Sequence, residues 1–496
     1  MEAAIRRFRS LKPIQINAPT HIATMLHSRA VRLFRLFPAA PLFLLLLLIQ
    51  SCAPKPSTTE LPLDAPSPFT RTGTAPLPDR WWTCFDDPML NSLIDSALAR
   101  NLDLAATWQQ FRAAQAVLAR EGGQRWPQLD ASAQSALNRP KPDFAGGENV
   151  QLGVAARYEL DLWGRIRNQV QAEAYRAQAS LADYQTAALS LSAEIALTWY
   201  RLQAARSQLV LSDEQLATNQ NIVKLIRARF GSGQVRGVDI LRQTQLLEAT
   251  RNQKIIFETN VAVLQHQLAV LLGRSPQQTS QADSVGLPKL PALPETGLPL
   301  ELVRRRPDLR QAFLNLQAAD RDWAAAVRNK YPRLNVRLSG QLRANDFQTL
   351  FENWAYTLGG NLLGPLFYGG SLNAEADRNE AVKQQRLYTY GQTMLTALRE
   401  VEDALVREEK QQQRLEVLEK RLNLARNTNA QLRNEFLNGL SVYLDVLLGL
   451  DQEQQLRRDY IDARLEQLEI RIALYRALAG SFDTPDTLKL AAAGEE

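Results

Sequence analysis

The sequence predicts a mostly α-helical protein with a small β part, built from two copies of one structural repeat. Landmarks of the first half return in the second half at an offset of 205 or 206 residues: Trp126-Pro127 as Tyr331-Pro332, Trp163-Gly164 as Tyr368-Gly369, Phe230 as Phe436, and Asp239 as Asp445. Because four unrelated landmarks share one spacing, we infer an internal duplication. Long stretches with helical periodicity and short stretches with partial alternation then predict helices and strands within each copy.

Each repeat opens with an amphipathic helix and continues with a β-hairpin. In the first repeat, apolar residues at i, i+3, i+4 and i+7 spacing predict one helix from about 88 to 120. A segment before a Pro/Gly-rich turn at 139–147 and a second one from about 149 to 161 alternate in part. This pattern predicts two strands, and 333–343 with 353–363 is their repeat.

Long coiled-coil helical hairpins form the rest of each repeat. Heptad positions of the first copy are occupied without interruption by Leu181, Ala188, Ile195, Leu202, Leu209, Leu216, Val223 and Phe230. A sustained heptad is typical of a coiled-coil seam, and about 66 residues at 1.5 Å each make a helix of about 100 Å. Matching positions of the second copy hold Leu415, Leu418, Leu422, Ala425, Leu432 and Phe436. Turns after Phe230 and Phe436 end these helices, and returning helices are predicted at about 238–272 and 441–478.

The N-terminal 51 residues are predicted to be a signal peptide. Three arginines at 29–35 precede a short apolar run, and the small residue Ser51 comes before Cys52. The segment Ile49-Gln50-Ser51-Cys52 resembles a bacterial lipobox, which implies that Cys52 carries a diacylglycerol and an N-acyl group; a plain signal peptide with an incidental cysteine is the alternative. Residues 53–78 are rich in Pro, Ser and Thr and are predicted to be an extended linker.

Charge and composition argue against nucleic-acid binding and against most catalytic sites. The chain has 58 basic and 52 acidic residues, but seven of the basic ones and one acid fall in the leader, which leaves 51 of each. No basic surface for nucleic acid is therefore indicated. The mature chain keeps one histidine, His266, and Cys84 as its one cysteine besides Cys52. A Ser–His–Asp triad, a Cys–His pair or a zinc site lacks its residues, so we expect no enzyme, cofactor or metal site; carboxylate or lysine chemistry stays open.

The strands suggest how a secreted, lipid-anchored chain meets the membrane. No stretch beyond the leader has the roughly 18 consecutive apolar residues of a transmembrane helix, so a β-barrel is the alternative. Four strands cannot close a barrel, since about eight is the small end. Several chains would then contribute strands to one barrel, and the helical hairpins would enclose a tube beneath it.

Both repeats open with recognisable sequence signatures. Those of the first are Trp81-Trp82, Phe85-Asp86-Asp87-Pro88-Met89-Leu90 and Asn101-Leu102-Asp103-Leu104, and the second has Arg305-Arg306-Pro307-Asp308-Leu309-Arg310. Over about 79–480 the chain resembles the outer-membrane factors, the TolC-like channels, and the second signature is similar to their lipoprotein branch serving resistance-nodulation-division efflux pumps. The resemblance implies a homotrimer in the Gram-negative outer membrane, with a 12-stranded barrel and a helical tunnel extending into the periplasm. It also implies a periplasmic adaptor and an inner-membrane pump as partners.

The resemblance assigns the candidate functional residues to the helical turns. Adaptor-docking tips would be formed by Gly233, Gly237, Val238, Asp239, Gly439, Leu440 and Ser441. The same residue types also suit a helix end followed by a helix start, without any partner. Asp445 would face the tunnel axis, where three copies form a periplasmic entrance gate; an exposed helix-start aspartate is the alternative.

These observations predict five segments and one function. The segments are a signal peptide (1–51), the lipidated cysteine with its linker (52–78), two repeats (79–290 and 291–480) and a C-terminal tail (481–496). The predicted function is the outer-membrane channel of a tripartite efflux system that conducts small molecules passively. The alternatives are a duct for type I protein secretion and a periplasmic coiled-coil scaffold lipoprotein without a pore.

Two further expectations concern single positions. Arg304, Arg305 and Arg306 precede Pro307, which suits the first position of a helix, and we expect a solvated basic cluster there. Trp163 lies beside a strand end, where an interfacial aromatic belt would be placed.

Overall fold

The computed structural model describes residues 67–137, 148–278, 286–297, 299–344 and 348–478. The predicted signal peptide, Cys52, most of the linker, the turn at 139–147 and the tail from 481 lie outside the described residues. After a short 3-10 turn at Trp81–Phe85, the first repeat consists of α1 (Pro88–Arg100), α2 (Leu102–Gly122), β1 (Gln128–Leu137), β2 (Glu148–Leu160), α3 (Arg165–Gly231) and α4 (Gly237–Leu271). The second consists of α5 (Pro299–Arg305), α6 (Pro307–Arg328), β3 (Arg333–Ala344), β4 (Trp354–Leu363), α7 (Ser371–Leu437) and α8 (Tyr443–Leu478).

The element boundaries repeat as the sequence predicts. Helices α3 and α7 have 67 residues each and begin 206 positions apart, and α4 and α8 begin at the same offset. At 1.5 Å per residue each long helix measures about 100 Å. The predicted fold class, mostly helical with two long helical hairpins and four strands, is confirmed.

The helix predicted at 88–120 is two helices, because Asn101 interrupts it. Asn101 has an extended backbone (φ −64°, ψ 128°), and its side-chain oxygen accepts a hydrogen bond of 2.9 Å from the Leu104 amide. Its side-chain nitrogen donates to the carbonyl of Leu271 at the end of α4, also at 2.9 Å. Asn101 therefore starts α2 and fastens it to the end of the returning helix.

The two predicted hairpins join into one antiparallel sheet in the order β1-β2-β3-β4. Directly paired residues share a face of a sheet, and successive residues alternate between faces. One row consists of Ala133, Leu152, Leu342 and Trp354, and we call this side the apolar face. Another row consists of Gln128, Arg157, Arg337 and Gly359, and we call this side the polar face.

An aromatic cluster ties the start of the described chain to the long helices. The ring of Trp81 stacks on Tyr475 of α8 at 5.7 Å between centroids, and its indole nitrogen donates to Ser192 of α3 at 3.3 Å. The indole of Trp199 donates to Asp87 at 2.8 Å. Trp81 and Trp82 are fully buried, so these signature residues belong to the core. Cys84 is a partly buried free thiol packed against this cluster.

Helix α3 is buried on more sides than one seam would require. Ala188, Ile195 and Leu202 are buried as predicted, whereas the ring of Phe230 is 49% exposed. Buried polar residues lie beside the heptad, at Gln208, Ser212, Gln215 and Asn219. The single-seam prediction is incomplete because α3 packs against α1, α2, α4, α6 and α8.

Two buried arginines hold elements of the second repeat together. Arg471 is 1% exposed; it pairs with both carboxylate oxygens of Glu408 at 2.9 and 2.5 Å and donates to the carbonyl of Ala292 at 2.8 Å. Arg306 is also buried, so the expectation of a solvated cluster is wrong for this residue. It pairs with Asp308 at 2.7 Å and with Glu400 at 2.8 Å, and only its neighbours Arg304 and Arg305 are exposed.

Within the described ranges, no helix combines the length and the apolar character that crossing a membrane requires. The side chain of Trp163, beside the end of β2, is half-buried. Its indole nitrogen donates to the carbonyl of Pro332 at 2.7 Å, and its ring lies 5.3 Å from that of Tyr331. Trp163 therefore links the end of the first hairpin to the start of the second at the base of the sheet.

Replacing Arg471 by Met should destabilise the protein by about 3–5 kcal/mol, because the carboxylate of Glu408 would be left with little solvent and no counter-ion. Thermal unfolding of the detergent-solubilised protein measures this effect. Arg414→Met is the matched control: Arg414 and Glu466 join the same two helices but are about half exposed, and the expected loss is about 1 kcal/mol or less. Equal losses in both variants would contradict this assignment.

Candidate functional site

The two helical turns have the same backbone structure in both repeats. Gly233 and Gly439 adopt left-handed conformations, with φ of +72° and +77°. The amide after each glycine reaches the carbonyl five residues earlier, from Gln234 to Arg229 at 3.0 Å and from Leu440 to Glu435 at 2.8 Å. Together with the glycine amide, which bonds three residues back, this is a Schellman motif that ends each long helix.

The equivalent aspartates that follow the turns have different surroundings. Asp239 is 4% exposed, and its carboxylate accepts a hydrogen bond of 3.1 Å from the amide of Arg236. The guanidinium groups of Arg236 and Arg242 lie 3.4 and 3.6 Å from it. Asp239 is therefore the third residue of α4, whose side chain caps the helix start by accepting from the N-cap amide, and two cations neutralise its charge.

Asp445, in contrast, is exposed at the start of α8. The Ser441 hydroxyl lies 3.5 Å from its carboxylate, and no cation of the described chain lies within ion-pair distance. The difference is present in the sequence: the positions equivalent to Arg236 and Arg242 are Val442 and Leu448. Asp445 therefore carries a charge that its own chain leaves open to solvent.

The turns lie close together because α3, α7 and α8 pack against each other near their ends. Ile226, Phe436, Tyr443 and Val446 form a small buried cluster, with the Phe436 and Tyr443 rings 5.5 Å apart. The Arg229 guanidinium lies 5.0 Å from the centre of the Phe436 ring. The Tyr443 hydroxyl donates to Gln243 of α4, and burial, with the negative charge of Asp239, raises the pKa of Tyr443.

The surface around both turns is apolar and open. Leu440 is 79% exposed, and the other large apolar side chains exposed here, by 41% to 71%, are Phe230, Val238, Leu241, Leu437, Val442 and Leu448. Gly233, Gly237 and Gly439 are exposed as well, and Ser441 is half-buried. Of the predicted docking residues only Asp239 lies inside the fold. We call this set of exposed residues the tip surface.

Sequence reasoning missed a layer of polar side chains behind the tip surface. The Asn219 amide donates to Thr250 of α4 at 2.8 Å and lies 3.3 Å from the side-chain oxygen of Gln454 of α8. The Gln215 amide donates to the Gln454 carbonyl at 3.1 Å. The available signal is spacing: the pairs Gln208/Gln215 and Ser212/Asn219 are each seven residues apart, next to the apolar heptad.

Comparison with known proteins places the chain in a family. The outer membrane efflux protein family model matches residues 93–274 and 298–480, once for each repeat. The chain belongs to the outer membrane efflux protein family. This confirms the predicted resemblance and the predicted location in the outer membrane.

Relatives and solved structures are similar to this chain over most of its length and nearly all of theirs. The pyoverdine export outer membrane protein OpmQ of Pseudomonas putida is 31% identical over 90% of this chain and 97% of its own length. OpmQ of Pseudomonas aeruginosa is 29% identical over 88% of this chain and 96% of its own length. The solved outer-membrane channel OprN is 27% identical, covers 84% of this chain and 98% of its own, and has a TM-score of 0.77. The chain is accordingly an outer-membrane channel component of an efflux system, and its relatives are channels rather than enzymes.

Replacing Gly439 by Ala should loosen the second turn by about 1–2 kcal/mol, because a Cβ atom is strained in the left-handed conformation. Faster hydrogen exchange of the amides at 435–445 would report this change. Gly231→Ala is the matched control, since Gly231 belongs to α3, has no left-handed conformation, and has open space for a Cβ atom. Exchange that stays unchanged in Gly439→Ala would contradict the expected strain.

Proposed function

We propose that three copies of this chain form one passive duct, which conducts small molecules from a periplasmic adaptor and an inner-membrane resistance-nodulation-division pump to the exterior. The observation that carries the proposal is the sheet. Its edge strands β1 and β4 each leave one side of the backbone unpaired, and every residue of β4 is exposed. Backbone groups in lipid need partners, so edges of neighbouring copies would join, and three four-stranded sheets would supply the twelve strands of a closed barrel.

The two faces of the sheet suit such an arrangement. Trp354, Tyr356, Leu358 and Leu362 of β4 are about 70% exposed. They alternate with the row that contains Gly359 and belong to the apolar face, which would contact lipid. The polar face would then line the interior of the duct.

Exposed apolar side chains on the helices support association of several copies. Helix α4 exposes Leu241, Ile255, Ile256, Val263 and Val270, and α7 exposes Leu395, Val406, Val417 and Leu424. In neighbouring copies, α4 of one chain would pack against α7 of the next. This contact closes a ring of helices around a tunnel through the periplasm.

The tip surface would bind the periplasmic adaptor. Its exposed apolar side chains surround two glycine turns that leave the backbone accessible. A groove of about 360 Å³ behind it, lined in part by Thr218, Asn221, Leu225 and Arg433, separates α3 from α7. Both features fit helical segments of a partner better than a small ligand.

Asp445 would form the entrance gate. Three uncompensated carboxylates around one axis would attract cations and would hold the entrance narrow while a cation bridges them. Asp239 is excluded from this role by its burial and its two arginine partners. Lipidation of Cys52 would anchor the same chain to the outer membrane, and no catalytic step is proposed for it.

The curated relatives favour efflux over the two alternatives. The two OpmQ relatives are export outer-membrane proteins, and the structural neighbour OprN is an outer-membrane channel. Neither finding favours a type I secretion duct or a scaffold without a pore.

The native mass of the detergent-solubilised mature protein tests the proposal first. A mass of three chains is expected, because three copies supply the twelve strands of the proposed barrel, whereas a single copy would leave its sheet edges open in lipid. A stable monomer with full helical content would overturn the shared barrel. Cys52→Ser should keep the trimer in detergent but lose incorporation of labelled fatty acid.

Asp445→Ala should raise the resting conductance of the channel in a planar bilayer and weaken its block by divalent cations, because the ring of carboxylates is lost. Asp239→Asn is the matched control at the equivalent position of the first repeat. It should loosen the cap of α4 without changing the cation block, because its carboxylate is buried. If Asp445→Ala changes neither conductance nor block, Asp445 is not part of the gate.

A further inference from the structure

The polar face of the sheet carries more arginine than it needs for its own ion pairs. Strand β3 places Arg333, Arg337 and Arg343 on this face, at odd positions that alternate with the apolar residues. The one described hydrogen bond from their side chains to protein goes from Arg333 to the side-chain oxygen of Asn329, at 3.0 Å. None of the three lies within ion-pair distance of a carboxylate in the described ranges.

The carboxylates on the same face already have partners. Asp130 of β1 pairs with Arg157 of β2, and Glu159 pairs with Arg165 at the start of α3, at 2.8 Å. These are the acidic side chains that the described parts of the four strands place on the polar face. Pairing therefore leaves each sheet an excess of three positive charges, all of them on β3.

Two of the arginines are directly opposite each other. Arg157 and Arg337 are register partners across β2 and β3, and like charges in such a pair destabilise a sheet. Asp130 compensates Arg157 alone, so Arg337 adds an unbalanced charge beside it. A sheet that holds this pair gains stability when an anion binds between the two groups.

A cavity lies in front of this pair. It has a volume of about 630 Å³ and lies at the end of the sheet next to the long helices. Side-chain donors line it, among them Gln128, Arg157, Arg165, Asn335, Arg337 and Asn361. Guanidinium groups match carboxylate and phosphate oxygens in a bidentate manner, and amide groups add further donors.

We propose that this cavity is a transit site for anionic groups, and that the duct therefore favours exported molecules carrying carboxylate or phosphate. The inference rests on the proposed function, since the polar face must line the interior. Molecules leaving the helical tunnel would pass Arg333 at the base of the sheet, then Arg157 and Arg337, and then Arg343 farther along β3. A track of cations along a conduction path raises the local anion concentration and lowers the barrier for anions.

Reversal potentials in a KCl gradient test the inference on the purified full-length trimer in planar bilayers. Arg337→Gln should lower the ratio of chloride to potassium permeability about twofold or more, in the wild type and in an Asp445→Asn background alike. Arg337→Lys keeps the charge and should keep the ratio. Arg71→Gln removes an equal charge from the exposed segment before Trp81, where Arg71 pairs with Glu409, and should leave the ratio unchanged.

Block of the channel by inorganic pyrophosphate distinguishes anion binding in the cavity from a general effect of positive charge. Added to wild-type channels, it should reduce the current, and the concentration that halves the current should rise several-fold in Arg337→Gln and less in Arg337→Lys. An unchanged permeability ratio together with an unchanged pyrophosphate block would overturn the transit site while conduction itself persists. If trimers of wild-type protein conduct no ions, the proposed function fails, and the transit site fails with it.

Discussion

Burial of one long helix, α3, on several sides is the packing interaction on which the rest of the structure depends. Within the described ranges, α1, α2, α4, α6 and α8 pack along it, α7 contacts it near its end, and the aromatic cluster around Trp81 and Trp199 fixes its middle. A helix of about 100 Å cannot present one apolar stripe to so many neighbours, because side chains on a straight helix drift around its axis. Polar side chains therefore enter the interface, and each needs a partner there.

The polar layer behind the tip surface is the consequence of that burial. Gln215 and Asn219 of α3 bond with Thr250 of α4 and Gln454 of α8, where leucines would pack without preference for one register. A buried amide costs free energy when its helix slides by one turn, so the layer fixes the alignment of α3, α4 and α8. The turns at the helix ends are thereby held at one level, and the tip surface is formed by residues that are distant in sequence.

Sequence periodicity predicted the helices and turns, which depend on neighbouring residues. It failed to predict features that depend on contacts between residues distant in sequence. The long helices α3 and α7 and the turns after them follow from the heptad pattern and the glycines, whose effects act within a few residues. The break at Asn101 was missed because apolar spacing continues across it, and its second bond reaches Leu271, 170 positions away. Arg306 resembles a surface residue until Glu400 and the carbonyl of Ala477 are brought to it. The different surroundings of Asp239 and Asp445 could have been predicted from the sequence, because Val442 and Leu448 occupy the positions equivalent to Arg236 and Arg242.

The contrast between Asp239 and Asp445 shows that the two repeats can diverge in side chains while their turns keep one backbone structure. The backbone of both turns is kept by the same Schellman motif, so divergence of the side chains did not alter the shape. One copy has an aspartate enclosed by arginines, and the other has an aspartate among aliphatic neighbours. In the proposed complex, identical adaptor subunits arranged around such tips would meet two surfaces of one geometry but opposite electrostatic character. Their contacts would be quasi-equivalent, and alternate adaptor subunits would be bound with unequal strength.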